Sequence, residues 1–516
     1  MRLQIRQLAF WLFAAALATS VRAEVGIDYE AGVEGNAGGG DFAPHYIMSG
    51  RGGTLTQRYG AQAHVAAWHT MDTTCRLSWG AGVELWAGYQ SSTTYARYNE
   101  QGVLTDNKQH PARAWVQQAW IEGKHRGVFL QLGMKHMASP WLDNQLSSGD
   151  LIMSGNTRPP VGARMGFINP QNIPFLKGWV QIAGEIGYYR LGDGKWIDNH
   201  YGRRNEWATS GYWFNYKNIY LSSPAHMPFQ LILGGQASCQ FGGTQRFYVA
   251  GVEQRSVKME ADAKAFFRAL IAGSGGSGGG DHFVEGNHVG SWDIIGRYRF
   301  KNGITLRAYH QTIWEDGSGI GFQNGFDGLW GLEYKAGKPS IVSGVVVEYI
   351  DLTNHSGAIH WSPDDSKHAD GTPTPISHQT TGADDYYNNY AYSGYQNRGQ
   401  SIGSPLVRGP IYNLDGYQSF TDNLMRGFHV GINGFILPQL TYRVLCSYCR
   451  SWGTPVRPRA KAVNNTSAML ELVYNPKQVA GLQVKAQMAL DRGDLRGDNT
   501  GALVSVTYHG NLTLGK

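Results

Sequence analysis

Cys446 and Cys449 form a C-x-x-C spacing, which elsewhere serves redox or metal chemistry. Here both cysteines fall within a predicted strand, where side chains three positions apart point to opposite faces. A redox pair or a metal site needs both sulfurs on the same side, so we predict that these cysteines only pack. The four cysteines could pair in an oxidising compartment, but they are too few for a disulfide scaffold in a chain of 516 residues.

The G-x-S-x-G pattern of serine hydrolases occurs at 275–279 and at 399–403. A nucleophile elbow needs a strand before the serine and a helix after it. The first match lies inside a glycine-rich run, and the second is soon followed by Pro405. The H-E-x-x-H pattern of zinc proteases does not occur in the sequence. We therefore predict no catalytic residues and a protein that is not an enzyme.

One group of histidines and carboxylates lacks the ligand spacing of a structural metal site. Its members are His355, His360, His368, Asp364, Asp365 and Asp370. A solvated loop explains this composition better, so we predict no metal. The glycine run at 273–280 lacks the Lys-Ser/Thr pair with which a phosphate loop holds a nucleotide. We expect no cofactor.

Tyrosines are interleaved with amides and carboxylates between Asp384 and Arg398. Aromatic rings cover the C–H faces of a pyranose, while Asn, Asp and Arg side chains hydrogen bond to its hydroxyls. The stretch therefore predicts sugar contact, although an ordered loop that only caps the lumen of a barrel can have the same composition. The candidate glycan-binding residues in it are Tyr386, Tyr387, Asn388, Tyr390 and Arg398.

Two adjacent arginines, Arg203 and Arg204, are further candidates. Guanidinium groups hold carboxylates through paired hydrogen bonds, so the two could bind an acidic sugar. Alternatively they face a polar lumen, where they balance Glu185 or Glu206. The sequence leaves both interpretations open.

Period-two alternation indicates the elements that carry these candidates. In the segment 482–490 the even positions are all apolar, whereas Gln483, Lys485 and Gln487 occupy odd positions. The segments 180–188 and 304–309 alternate in the same way. Strand side chains switch faces at every residue, so each run has one apolar and one polar face. Soluble sandwiches alternate too, but several of these runs approach the roughly 9 to 11 residues of a tilted membrane strand.

The composition favours a membrane barrel over a soluble domain. Charged residues make up 16% of the chain, against about 25% in ordinary soluble domains. The chain contains 28 Tyr, 16 Trp and 69 Gly, and no stretch after the first residues is apolar over the length of a membrane helix. In lipid every backbone group needs an internal partner, so strands that cross it must close into a ring. The sequence therefore predicts an all-β fold, a transmembrane antiparallel β-barrel.

The first residues predict export. Residues 2–6 carry two arginines, and residues 8–18 are apolar. Val21-Arg22-Ala23 has the small-x-small pattern of a cleavage site. Together these features are typical of a secretory signal peptide at 1–23. The mature barrel would then span 24–516. The formal net charge of the precursor is +6, and loss of Arg2, Arg6 and Arg22 leaves about +3, too little to indicate nucleic acid binding.

The long connections are expected on the outside of the cell, because barrels have short periplasmic turns. The three longest are predicted near 191–211, 242–287 and 353–425. The proline-rich segment 138–175 could be a loop, helices or part of a plug. The segment 260–270 is the clearest helix of the sequence and could serve as a lid, a plug or a surface helix with a flexible glycine tether.

Several stretches resemble the capsule assembly Wzi family. They are Tyr201–Trp207, Gly211–Tyr216, Gly133–His136, and Tyr387–Tyr390 continuing through Gly399, Gly403, Ser404, Pro405 and Leu406. The resemblance spans most of the mature chain. It implies a barrel of about 18 strands, a helical plug, lectin-like binding of a capsular glycan by surface loops, and no catalytic activity.

These observations leave three hypotheses of function, in falling order of preference. The first is a non-enzymatic protein that anchors capsular polysaccharide or another exopolysaccharide on a Gram-negative outer membrane. The second is a sugar-selective or general porin, and the third is an outer-membrane hydrolase. The expected partners are the polysaccharide and outer-membrane lipid, without nucleic acid, and we expect a monomer.

Overall fold

The computed structural model describes residues 25–204, 206–273, 285–355, 360–361, 379–380, 384–392 and 394–514. The predicted signal peptide at 1–23 lies outside these residues. Eighteen antiparallel strands form one closed barrel, which confirms the predicted fold class. In chain order the strands are β1 (Val25–Gly39), β2 (Gly60–His69), β3 (Leu77–Gln90), β4 (Ala114–His125), β5 (Val128–Met134), β6 (Val161–Phe167, continued by Gln171–Asn172), β7 (Gln181–Arg190), β8 (Trp213–Ser222), β9 (Phe229–Phe241), β10 (Asn287–Arg299), β11 (Thr305–Trp314), β12 (Gly328–Lys335), β13 (Gly344–Leu352), β14 (Met425–Leu437), β15 (Leu440–Gly453), β16 (Pro458–Tyr474), β17 (Leu482–Arg492) and β18 (Thr500–Leu514).

The barrel closes where its first strand pairs with its last. The register of β1 with β18 runs without interruption from Val25 opposite Leu514 to Gly39 opposite Thr500. Every other strand pairs with its neighbours in the chain, and both parts of β6 pair with β7. Ring closure gives every strand two hydrogen-bonded neighbours, so the sheet has no open edge.

The alternating sequence positions take opposite faces of this wall. On β17, Met488 is 69% exposed on the outer face, whereas Gln487 is 3% exposed on the inner face. On β14, Phe428 and Val430 are exposed while His429 between them is buried. Apolar side chains therefore cover the outside, as lipid contact requires, and polar side chains line the lumen. No helix in the described part of the chain is long and apolar enough to cross a membrane.

The connections differ in length between the two ends of the barrel. We call the end with long connections the loop end, and its connections are 40–59, 91–113, 135–160, 191–212, 242–286, 315–327, 353–424, 454–457 and 493–499. The other end, the turn end, holds both ends of the described barrel and the shorter links, including the link 300–304. The three connections expected to be longest all lie at the loop end, but 135–160 is longer than 191–212.

The connections at the loop end contain short helices and strands. They are helices α1 (His45–Met48), α2 (Gly194–His200), α3 (Ala263–Ile271) and α4 (Gly317–Ile320), a hairpin of Thr93–Tyr98 with Leu104–Gln109, a three-stranded sheet of Glu206–Ser210, Gly243–Val249 and Val252–Met259, and two-residue pairs His360–Trp361 with Gln379–Thr380 and Gln396–Asn397 with Gln400–Ser401. Two 3-10 turns occur at Pro174–Leu176 and Pro410–Tyr412. The predicted helix at 260–270 is α3, which begins at an N-cap in which Asp262 accepts a hydrogen bond from Ala265 N.

The apolar core lies inside the barrel, between the wall and the connections that fold into it. One cluster joins Leu151 and Ile152 to Tyr216 and Tyr387. A second joins Phe42, Ile47 and Leu146 to wall residues such as Val346 and Leu445. Because the core combines wall and connection residues, burial of apolar surface holds these connections inside the lumen.

Candidate functional site

Three connections fold inward and fill the lumen at the loop end. We call the segments 40–59, 135–160 and 384–424 together the plug. Their helical content within the described residues is α1 and the turn at Pro410–Tyr412, so the plug is mainly irregular and not the helical plug that the resemblance implied. Irregular chain leaves backbone polar groups unpaired, so each segment needs partners on the wall or in its neighbours.

Asp150 anchors the second plug segment to the wall. Its carboxylate, which is buried, accepts hydrogen bonds from Gln236 Nε2 on β9 at 2.9 and 3.0 Å and from Gln311 Nε2 on β11 at 2.9 Å. It also accepts from the backbone nitrogens of Ile152 and Met153 at 2.8 and 3.0 Å. Hydrogen bonds from these donors replace the water that a buried carboxylate loses. Removal of any donor would destabilise the buried charge.

Two wall residues opposite Asp150 complete the attachment. Glu348 on β13 accepts from Ser147 Oγ and Ser148 N, both at 2.6 Å. His429 on β14 lies 2.7 Å from Leu146 O through Nε2 and 2.7 Å from the hydroxyl of Tyr46 through Nδ1. With Nε2 donating to the carbonyl, Nδ1 accepts from the tyrosine. One histidine therefore ties α1 and the segment 135–160 to the same strand.

The third plug segment bonds to the second. The hydroxyls of Tyr387 and Tyr395 donate to Leu151 O and Ile152 O, at 2.5 and 2.9 Å. Ser154 Oγ donates to Gly403 O at 2.7 Å. The tyrosine-rich stretch between Asp384 and Arg398 is therefore a structural part of the plug in this conformation, as the alternative of a capping loop proposed.

Tyr386, Tyr387 and Asn388 meet protein rather than solvent. The ring of Tyr386 stacks on His355 with centroids 4.1 Å apart, and its hydroxyl donates to Asp327 at 3.2 Å. Asn388 exchanges hydrogen bonds with the backbone of Phe420 at 2.8 and 2.9 Å. In contrast, Tyr390 is 60% exposed at the end of the same turn. Sugar contact by these residues stays a prediction, and Tyr390 is the member whose ring is open to a ligand.

Five arginines converge on the connection 191–212, and we call them the arginine surface. They are Arg97, Arg203, Arg204, Arg246 and Arg398. Arg97 and Arg398 reach it from other connections and donate to Asn199 O at 3.3 Å and to Gly192 O at 2.9 Å. Arg246 donates to Ser210 Oγ at 3.0 Å. The surface thus unites three of the predicted glycan-binding residues with Arg97 and Arg246, which no sequence motif indicated.

The charges of the arginine surface are weakly compensated. The guanidinium of Arg204 lies 3.8 Å from the Asp415 carboxylate and donates to the Asp415 carbonyl at 3.0 and 3.2 Å. Arg246 lies 3.8 Å from the carboxylates of Asp198 and Glu253, and all three acids are exposed. Exposed pairs at such distances contribute little, so the guanidinium groups keep their capacity for an anion. Arg203 lies over the ring of Tyr248 at 5.4 Å. Glu185, one proposed partner of the arginine pair, instead pairs with Arg164 at 3.3 Å.

Three titratable groups near this surface, Arg158, His200 and Asp193, are buried and have shifted pKa values. Burial and the neighbouring Arg398 lower the pKa of Arg158 to about 9. Burial, with smaller effects of Arg97 and Arg398, lowers the pKa of His200 to about 4 and keeps this ring neutral at pH 7. Burial also raises the pKa of Asp193 to about 6, although Tyr212 donates a hydrogen bond to it at 3.2 Å. Desolvation is the largest cause of all three shifts.

Three candidate residues have a strained backbone. Tyr387, Arg203 and Arg398 have φ of 69°, 52° and 54°, in the left-handed region that L-residues rarely adopt. Each such residue costs about 1 kcal/mol or more. Their surroundings must hold them there, which fixes the direction in which the two arginines leave the backbone.

Wide polar cavities remain in the lumen on the turn-end side of the plug. One of about 800 Å³ is lined by Arg297, Arg299, Arg307 and Glu333, and another of about 420 Å³ by Arg443, Glu471 and Lys485. Arg307 pairs with Glu333, and Arg443 pairs with Glu471 at 2.9 Å. Two of the lumen arginines are thus paired with acids on the neighbouring strands.

The motifs excluded by sequence also have structural positions. Cys449 is buried and Cys446 exposed, on opposite faces of β15 as predicted, and all four cysteines are free. The segment 399–403 belongs to the two-residue hairpin at Gln396–Ser401, which has no elbow geometry. The match at 275–279 lies outside the described residues, as does most of the His/Asp group at 355–370. In the described chain no three His, Cys, Asp or Glu side chains gather as a metal site would require.

The sequence matches no protein-family model and no curated protein. Among solved structures it is similar to Wzi of Escherichia coli, described as an outer membrane protein involved in group 1 capsule assembly and a carbohydrate binding β-barrel, with a TM-score of 0.55 and 11% identity over 95% of this chain and 86% of Wzi. Acinetobacter baumannii OccAB2 gives a TM-score of 0.46 and 9% identity over 94% of this chain and 98% of its own. Pseudomonas aeruginosa OccD3 gives 0.44 and 10% over 95% and 92%. At such identities the likeness concerns the fold of an outer-membrane barrel.

Proposed function

We propose that this chain is an outer-membrane protein that binds a capsular or other exopolysaccharide at the cell surface and holds it there without chemical change. The observation that carries the proposal is the plug. Three connections occupy the lumen. Asp150, Glu348 and His429 bond two of them to the wall, and the third bonds to the second. A barrel closed in this way is suited to present a surface rather than to conduct solute.

The orientation in the membrane follows from the lengths of the connections. Barrels of this type have short turns on the periplasmic side, so the loop end of this chain faces outward. The arginine surface and Tyr390 then lie on the side of the membrane where a polysaccharide on the cell surface would contact the protein. Exposed rings and guanidinium groups are the side chains that stack on sugars and pair with their carboxylates.

The chemistry of the surface favours an acidic polymer. Arg204 and Arg246 lie 3.8 Å from exposed carboxylates, and Arg398 is close enough to the buried Arg158 to lower its pKa. Many weak charge contacts along a repeating polymer add up through multivalency, so each contact can be modest while retention is strong. The similarity in fold to Wzi, described as a carbohydrate binding barrel, agrees with this proposal.

The proposal can be tested by measuring binding of the purified protein to acidic polysaccharide. The protein is reconstituted in lipid vesicles, and the polysaccharide is released from the bacterium that produces the protein. We expect the double variant Arg203→Gln/Arg204→Gln to bind at least about threefold more weakly, because two charge-assisted contacts of about 0.5 kcal/mol each are removed. The matched control is Arg457→Gln/Lys461→Gln, which removes the same charge elsewhere at the loop end. Equal loss in both pairs would show an unspecific charge effect, and loss in neither would contradict the proposed surface.

The porin hypothesis makes the opposite prediction for the same preparation. An open barrel would conduct ions in a planar bilayer and would not retain polymer. The proposal requires a poorly conducting wild-type protein and measurable polymer binding. High conductance without binding would replace it with a transport function.

A further inference from the structure

Helix α3 lies on the outside of the barrel wall. Cys239 and Phe241 of β9 have the same parity as Leu231 and Leu233, which are exposed on the outer face, and the register of β9 with both neighbours is uninterrupted. Cys239 and Phe241 are nevertheless fully buried, in a cluster with Ala265 and Ala269 of α3. The helix therefore covers the outer face of the strands near the loop end.

The inner face of α3 is fixed to the wall by specific contacts. The ring of Phe266 lies 4.9 Å from the rings of both Phe241 and Trp213, in edge-on geometry. The hydroxyl of Tyr188 on β7 donates to Phe266 O at 2.9 Å. Such ring contacts and a wall-to-helix hydrogen bond hold the helix in one position.

The helix covers polar residues on the lipid-facing row. Along β8 the outward positions are apolar at Leu221 and Ile219, but they become polar at Lys217 and Asn215. Lys217 Nζ donates to Asn215 Oδ1 at 2.8 Å and to Ala269 O, on the last turn of α3, at 3.1 Å. A charged side chain facing lipid is costly, and α3 supplies it with an acceptor and shields it.

The outer face of α3 presents two large, exposed apolar side chains beside the exposed Lys264. Phe267 is 60% exposed and Ile271, one turn later on the same face, is 57% exposed. Arg268 is held by Glu260 and Glu285, each at 2.8 Å, so its charge is neutralised within the protein. A helix that presents large apolar side chains together with a basic residue is typical of the interface of a membrane.

We propose that α3 is immersed in the lipid leaflet nearest the loop end and that Phe267 and Ile271 contact acyl chains there. The exposed pair lies above Ile219 and Leu221, so it continues the apolar outer surface where the strands themselves turn polar. The helix thus replaces the wall as the lipid-facing surface over β8 and β9. This role is independent of polymer binding.

Spin labels can test where the outer face of α3 lies. In a Cys75→Ser/Cys446→Ser background, which leaves only buried native thiols, a nitroxide is attached at Phe267→Cys and, separately, at Ile271→Cys. Met488→Cys on the outer wall serves as the lipid reference. Val252→Cys, on the three-stranded sheet of the same connection, serves as the water reference.

The proteins are reconstituted in vesicles of phosphatidylethanolamine and phosphatidylglycerol, and relaxation by oxygen is compared with relaxation by a water-soluble nickel chelate. We expect both α3 labels to match Met488→Cys, with high oxygen and low chelate accessibility. Chelate accessibility like that of Val252→Cys would overturn the proposal. Labels shielded from both reagents and broadened by a second label would also overturn it, because a second copy of the chain would then cover the helix.

Discussion

The side-chain nitrogen of Gln236 on β9 lies 2.9 and 3.0 Å from the two carboxylate oxygens of Asp150 on the plug. Gln311 on β11 donates to the same carboxylate at 2.9 Å. The two amides come from strands separated by β10, so one acid spans a section of the wall. Both amides and the acid are buried, which makes this the polar contact whose loss the plug tolerates least.

Asp150→Ala should loosen the plug. The substitution leaves the amides of Gln236 and Gln311 without an acceptor, at a cost of about 1 to 3 kcal/mol. We expect a several-fold higher conductance in planar bilayers than for the wild type. Asp106→Ala, an exposed acid in the hairpin at the loop end, should leave conductance unchanged. Unchanged conductance in Asp150→Ala would show that the segment 135–160 does not close the lumen.

Alanine variants of Tyr387 and Tyr390 should distinguish a structural role from a role in polymer binding. Tyr387 is buried and donates to Leu151 O, so Tyr387→Ala opens a cavity and removes a hydrogen bond, with a loss of about 3 to 5 kcal/mol of stability. Tyr390→Ala should change stability by less than about 0.5 kcal/mol. Urea unfolding followed by tryptophan fluorescence measures both. If Tyr390→Ala also weakens polymer binding, its ring belongs to the binding surface, whereas a stability loss like that of Tyr387→Ala would assign it to the plug.

Acidification should weaken the packing around His355. Burial lowers the pKa of this ring to about 4, against about 6.5 in an unfolded chain. The unfolded state therefore binds the proton more readily, so the contribution of His355 is complete above about pH 6.5 and is lost as the pH falls towards 4. The full effect is at most about 3 kcal/mol. The melting temperature of the wild type should fall more steeply between about pH 7 and pH 4.5 than that of His355→Gln, and parallel curves would contradict the assignment.

Polymer binding should weaken with salt. Exposed charge contacts are screened over about 8 Å at physiological ionic strength and over about 3 Å at 1 M. We expect wild-type affinity to fall as sodium chloride is raised, with a smaller slope for Arg203→Gln/Arg204→Gln. A glycan held only by stacking and neutral hydrogen bonds would give equal slopes, and that result would remove the arginine surface from the account.

The wall of the barrel could be predicted because its physical constraint is local. Each side chain of β17 faces either lipid or the lumen, so the alternation from Leu482 to Leu490 predicts a strand. The C-x-x-C pair was assigned to opposite faces by the same rule. Export, the outward orientation of the long connections and the monomeric state remain predictions.

A plug was expected from the family resemblance, but its contacts could not be predicted, because the residues that bond to it lie far away in the sequence. Asp150 is no different from other loop acids until Gln236 and Gln311 are placed beside it by the closed ring. The tyrosine-rich stretch near 386 has the composition of a sugar site. However, the hydroxyls of Tyr387 and Tyr395 donate hydrogen bonds to the carbonyls of Leu151 and Ile152. Similarly, Arg97 and Arg246 carried no signal, since they reach the connection 191–212 only through the tertiary fold.

Capsule partition tests the central claim directly. The gene is deleted and the ratio of cell-bound to released polysaccharide is measured at equal total synthesis, with complementation by the wild type, by Arg203→Gln/Arg204→Gln and by the control Arg457→Gln/Lys461→Gln. The account predicts that polymer moves to the medium on deletion and returns to the cell with the wild type and the control, but only in part with the arginine variant. An unchanged ratio on deletion would contradict the anchoring function.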